Sequence, residues 1–146
     1  MIAQTIQLAL APVFMLVAIG NIMNLLSTRL GRVVDRSRTL QERHKSTDGS
    51  EHDAIVREIR FVARRISIIS KAIRVLVVSG LFVGLVVALL FLEVFARVNL
   101  FYTAPICFLI AVFLLMWALL LFLRETREAT LALEIPDSYM EWDRKL

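Results

Sequence analysis

The chain has 146 residues, 58% of them hydrophobic, and a formal net charge of +4 at neutral pH. That composition lies outside the range of ordinary soluble domains. With a single cysteine and two histidines the chain also holds neither a disulfide framework nor a ligand set for a structural metal. The expectation is one compact all-α membrane domain over residues 1–146.

The first predicted element is a span at about residues 6–28, interrupted only by Pro12, Gly20, Asn21 and Asn24. Nothing basic precedes it and no small-residue cleavage site closes it, so it reads as a retained helix rather than a signal peptide. Pro12 removes one backbone donor, which lipid-embedded helices tolerate where neighbours satisfy the freed carbonyl.

From the end of this span an apolar seam continues through Leu26, Leu30, Val33, Ser37 and Leu40. A second seam, Ile55, Ile59, Val62, Ile66, Ile69, Ile73 and Leu76, leads into the next span. Both step by fours and threes, the repeat that keeps an apolar edge facing a partner helix along a supercoil. Between them lies Ser46-Thr47-Asp48-Gly49-Ser50, in which Asp-Gly signals a turn and Ser50 a helix N-cap. The expectation is therefore an antiparallel coiled-coil hairpin over about residues 29–72. In it, residues whose numbers add to about 96 face one another: Leu40 near Val56, Val33 near Ala63, Leu30 near Ile66.

The hairpin holds the densest charge in the chain: Arg32, Asp35, Arg36 and Arg38 on one arm, and Arg60, Arg64 and Arg65 on the other. Guanidinium forks can hold phosphate or carboxylate in two-pronged fashion, which would make this an anion site. The simpler expectation is a solvated face laced with ion pairs, with Asp35 close to Arg60 and Arg64. His44 and His52 flank the turn and face one another near Asp48 and Asp53, but two turn histidines do not define a metal site and none is assigned.

The second span, about residues 73–95, carries Gly80, Gly84 and Ala88 at every fourth position. Such a stripe lets another helix approach closely in lipid. Glu93 and Arg97 are spaced for an ion pair where this helix leaves the bilayer. The third span, about residues 102–123, contains the uninterrupted apolar run Ala104 to Leu123, with Cys107 as a small packed residue. The segment 124–146 begins as a helical continuation, meets Pro136, and ends with Tyr139, Met140 and Trp142 among acidic residues. Those aromatics suit the headgroup layer or a place on the hairpin, and a flexible tail is the expectation.

Orientation follows from the basic residues: Thr28 to Lys71 contains eleven against six acidic, whereas the flanking connections are nearly uncharged. The hairpin and the tail should be cytoplasmic and the amino terminus outside. Anionic headgroups at the cytoplasmic face, rather than nucleic acid, are the expected partner of the basic excess.

Plotted at 100° per residue, Gly20, Asn21, Asn24, Ser27 and Thr28 share one face of the first helix, continued by Gly31, Asp35 and Arg38 and opposite the seam. Amides facing lipid are costly. Hydrogen bonds from Asn21 and Asn24 to the third helix are the simpler account, and a water-filled path lined by this face in an oligomer is the sharper one. Three spans cannot enclose a pore alone. No phosphate loop, serine elbow or ligand-spaced cysteine and histidine pattern is present, so neither an enzyme nor a cofactor is expected. The expected function is a homo-oligomeric structural or interaction module, open to a further protein partner, with an ion channel as the alternative.

Several blocks carry a resemblance: Leu10-Ala11-Pro12-Val13-Phe14, Ala18-Ile19-Gly20, Arg29-Leu30, Arg32-Val33-Val34-Asp35-Arg36-Ser37-Arg38, Arg64-Arg65-Ile66, Ala72-Ile73 and Phe122-Leu123-Arg124-Glu125. The pattern resembles a family of small bacterial membrane proteins catalogued as a domain of unknown function. The resemblance covers nearly the whole chain. It implies three spans, a place in the bacterial cytoplasmic (inner) membrane and weight on the Asp35-Arg36 block, and it supplies no activity or catalytic residue.

Overall fold

A computed structural model describes residues 2–96 and 102–131 as three long helices: α1 (Ile2–His44), α2 (Ser50–Ala96) and α3 (Thr103–Leu131). Each contains a segment long and apolar enough to cross a membrane. The chain is a multi-pass membrane protein. Arg97, and with it the expected Glu93–Arg97 pair, lies outside the described residues, as do Pro136, Tyr139, Met140 and Trp142.

Neither α1 nor α2 breaks between its apolar half and its charged half. In α1 the only interior proline is Pro12, and it is buried in register with Ile19, Leu26, Val33 and Leu40, all spaced by seven. In α2 the matching buried row is Ile55, Val62, Ile69, Leu76 and Val83. Leu26, Ile69 and Leu76 have no exposed surface. The intervening seam residues, Leu30, Ser37, Ile59, Ile66 and Ile73, are half-buried. From Ile19 to Leu40 and from Val62 to Val83 the two rows belong to one core cluster, which is what a strict seven-residue apolar period imposes on two antiparallel helices.

The register differs by one from that expected. Val62 is buried and Ala63 exposed, so the facing pairs are Leu26 with Ile69, Val33 with Val62 and Leu40 with Ile55, each adding to 95. Arg36 with Glu58 and His44 with His52 agree to within one position.

The cause lies in the turn. The helix cap is Gly49, not Ser50: its carbonyl accepts the Asp53 amide at 3.3 Å and its φ is +72°. The end of α1 is closed by Arg43, whose carbonyl accepts the Ser46 amide at 3.0 Å and the Ser46 and Thr47 hydroxyls at 3.1 and 3.0 Å. Glu51 and Asp53 in the first turn of α2, with Arg43 and His44 in the last turn of α1, match both helix dipoles. Gly49→Ala forces a Cβ into the left-handed region and is expected to cost about 1 kcal/mol. A lowered thermal midpoint in detergent, with a smaller loss for Gly49→Asn, checks this.

Helix α3 lies along α2, while α1 and α3 touch each other little. Its contact row is Ala104, Ala111, Ala118 and Glu125, again spaced by seven and all buried. The methyl-sized side chains bring the α3 backbone close enough for the buried Ser79 hydroxyl to donate to the Ala111 carbonyl at 2.7 Å. Pro105 falls in the first turn of α3, where its missing donor has no intrahelical acceptor to disappoint. The opposite sides of all three apolar segments, including Phe14, Val17, Leu81, Leu85, Leu109 and Phe113, are exposed. In a bilayer this surface is solvated by lipid.

Candidate functional site: a buried carboxylate joining three helices

Charged chemistry converges where the apolar segments end. Arg29 follows the first apolar segment on α1, Arg65 precedes the second on α2, and Glu125 follows the third on α3. Continuing the alanine row by one more heptad places Glu125 against the other helices, and its side chain has no exposed surface.

Arg65 meets one carboxylate oxygen with two donors, Nη2 at 2.7 Å and Nε at 3.1 Å. Arg29 Nη1 donates to the other oxygen at 2.8 Å and to Thr126 Oγ1 at 3.2 Å. Thr126 in turn donates to the Phe122 carbonyl. The Arg29 guanidinium lies 5.0 Å from the centre of the Phe122 ring and that of Arg65 6.0 Å from Phe61, so aromatic faces help support both cations.

A buried carboxylate is tolerated only where charge and hydrogen bonds replace its lost water, and three charge-assisted bonds do so here. One turn on, Glu128 Oε1 faces Arg64 at 3.2 Å and Arg124 at 3.6 Å. Its Oε2 is buried and accepts no hydrogen bond. Arg29, Arg64, Arg65 and Arg124 thus share two carboxylates, and the cluster carries an excess of positive charge.

The arrangement can clamp helices. Among the described residues no group of three or more His, Cys, Asp and Glu side chains could hold a metal. The model for the family described as Protein of unknown function (DUF2721) matches residues 9–135. The chain belongs to this family. The DUF2721 match takes in Arg29, Arg65, Glu125 and every buried row of the core. No curated protein and no solved structure matches the chain.

The charged residues singled out in this DUF2721 chain are only partly brought together. Arg64 and Arg65 reach α3 instead of Asp35. Asp35 is exposed and enters none of the ion pairs among the described residues. Its neighbour Arg36 holds Glu58 through Nη2 at 2.6 Å and Nε at 2.9 Å. Arg32, Arg38 and Arg60 are exposed.

The two histidines do meet, with ring centres 4.3 Å apart. His52 Nδ1 lies 3.1 Å from the Thr47 carbonyl, which can only accept, so this nitrogen carries the proton. Cys107 is half-buried.

On the polar face, Gly20, Asn21, Asn24, Ser27 and Thr28 are all exposed. The expected amide bonds from Asn21 and Asn24 to α3 are not made. The reason is geometric: α2 takes the opposite side of α1, and α3 packs on α2. Of the small stripe on α2, only Gly80 meets another helix, where an added Cβ would stand 3.7 Å from Ile19. Gly84 and Ala88 are exposed.

Glu125 and Arg29 were not among the candidate residues. Glu125 sits in a run of alternating charges that resembles a solvated helix end. The signal that singles it out is the period of seven set by Ala104, Ala111 and Ala118.

Proposed function

We propose that the chain is a structural or interaction module of the bacterial inner membrane, which self-associates and presents the α1–α2 pair in the cytoplasm as a coiled-coil docking platform. The observation that carries this reading is the polar face of α1. Within a helix apolar enough to cross a bilayer, Asn21 and Asn24 are exposed, and their amides make no side-chain hydrogen bond among the described residues. Amides left toward lipid are costly, and a second copy offers them both donors and acceptors.

The basic excess of residues 28–71 supports a cytoplasmic location, with the amino terminus outside, by the positive-inside tendency and by attraction to anionic headgroups. This reading gives the chain no catalytic role. The same exposed amides support a second reading, a homo-oligomeric channel with Gly20, Asn21, Asn24, Ser27 and Thr28 lining its path.

Native mass spectrometry of the protein released from lipid nanodiscs tests both. Two or more copies are expected, and a single copy would refute self-association. Asn24→Leu should reduce the subunit count if the face is an interface. An unchanged count with altered ion flux in liposomes would favour the channel instead.

A further inference from the structure

The outward side of α2 bears a row of positive charge of which the three-helix core uses only Arg64. Arg57, Arg60, Arg64, Ser67, Lys71 and Arg74 step by three and four, the spacing that keeps residues on one helix face, and all six are exposed. They begin one turn after Asp53 and cover about 25 Å of helix. Arg64 shares Glu128. Arg57, Arg60, Lys71 and Arg74 enter none of the ion pairs among the described residues.

The register of α2 against α3 sets the depth of this row. Pairing 65 with 125 and 79 with 111 places Leu123, the end of the apolar run of α3, beside residue 67 of α2, and the last residue of α3 beside residue 59. Lys71 and Arg74 therefore lie about 6 and 10 Å inside the apolar limit, where long basic side chains snorkel outward to headgroup phosphates. Arg60 and Arg57 lie about 10 and 15 Å beyond the apolar limit, outside a headgroup layer of about 5–8 Å. Lipid does not account for the outer half of the row.

A complementary segment starts at that level. After Leu131 the chain continues with Glu134, Asp137, Glu141 and Asp143, with no basic residue between the first and the last of them. Only two residues separate the end of α3, beside residue 59 of α2, from Glu134, so Arg57 and Arg60 are within reach of the first carboxylates.

We propose that the acidic segment 134–143 docks on the Arg57, Arg60 and Arg64 end of the α2 row of its own chain. It thereby covers the face that the cytoplasmic platform would offer to an acidic partner. The proposal rests on the docking-platform reading above and names the occupant of that platform.

The test is a spin-label distance in the full chain, in nanodiscs of neutral lipid and in a Cys107→Ser background, between labels at Ala63→Cys and Ser138→Cys. Docking predicts one narrow distance, within about 25 Å. Arg57→Glu with Arg60→Glu should broaden it, and adding Glu134→Lys with Asp137→Lys should restore it. A broad distribution throughout, or a narrow one indifferent to charge reversal, overturns the proposal.

Loss of the signal on dilution with unlabelled protein overturns it in favour of a neighbouring copy. Its loss in nanodiscs of anionic lipid overturns it in favour of headgroups. The two readings fail separately. A chain that does not enter nanodiscs sinks the membrane reading and this proposal with it, whereas one copy per disc sinks self-association alone.

Discussion

Glu125→Ala is expected to lower the stability of the folded chain by about 3 kcal/mol, the lower end of what removing one member of a buried ion pair costs. The lower end applies because the two arginines are 35% and 24% exposed, so water compensates them in part once the carboxylate is gone. Glu125→Gln keeps the shape and one acceptor and should cost less. Arg29→Ala should also cost less, since Arg65 still meets Glu125 with two donors. Reversible unfolding in mixed micelles measures all three. The Arg65→Ala, Glu125→Ala double mutant should be distinctly more stable than the sum of its single losses predicts, because each single change strands a partner and the double change strands fewer. Equal stability of Glu125→Ala and the parent chain would mean that the clamp is incidental to the fold.

Ala111→Leu should have an effect of similar size, about 3 kcal/mol, at the upper end for overpacking. Ala111 is fully buried, and its carbonyl receives the Ser79 hydroxyl at 2.7 Å. Three extra carbons find no free space at that position, because Ala111 has no exposed surface and is packed into the buried cluster. The added bulk pushes α3 away from α2, breaks the Ser79 bond and strains the Glu125 contacts two heptads along. Ala→Gly at the same site tests the mechanism: it should disturb the Glu125 cluster far less. If Ala111→Leu unfolds at the parent midpoint, the heptad alanines are not a contact row. In lipid this sensitivity is greater than the apolar character of the residues suggests, because close packing and hydrogen bonds must replace a hydrophobic effect that is absent between helices.

The α1–α2 pairing was legible because its signal is periodic and long. Five buried positions on each helix, from Pro12 to Leu40 and from Ile55 to Val83, recur every seven residues. The turn was legible from Asp48-Gly49, but its centre was placed slightly too late. Here Gly49 rather than Ser50 begins α2, a reminder that the residue whose carbonyl begins a helix need not be the one whose side chain suits a cap.

The place of α3 was harder to read. Its contact row consists of alanines embedded in leucine, phenylalanine and tryptophan, so a hydropathy profile makes the packed face look no different from the lipid face. Because that row went unnoticed, Glu125 remained one charge among several, and Asn21 and Asn24 were expected to find α3. What decides their surroundings is which helix occupies the far side of α1, a question about the whole bundle that no local pattern answers.

The clamp also has a consequence for the order in which the chain is made. Arg29 and Arg65 leave the ribosome long before residue 125, and the antiparallel pair that brings them to one level is complete while their shared counter-ion has yet to be synthesised. Two guanidinium groups then stand unneutralised at the level where the apolar segments end. The pair cannot settle there as it does in the finished protein until α3 has been threaded and its far end has arrived. Biogenesis of the bundle is therefore timed by its last helix: a nascent chain halted between the end of α2 and Glu125 carries the whole α1–α2 seam and still lacks the charge that locks it.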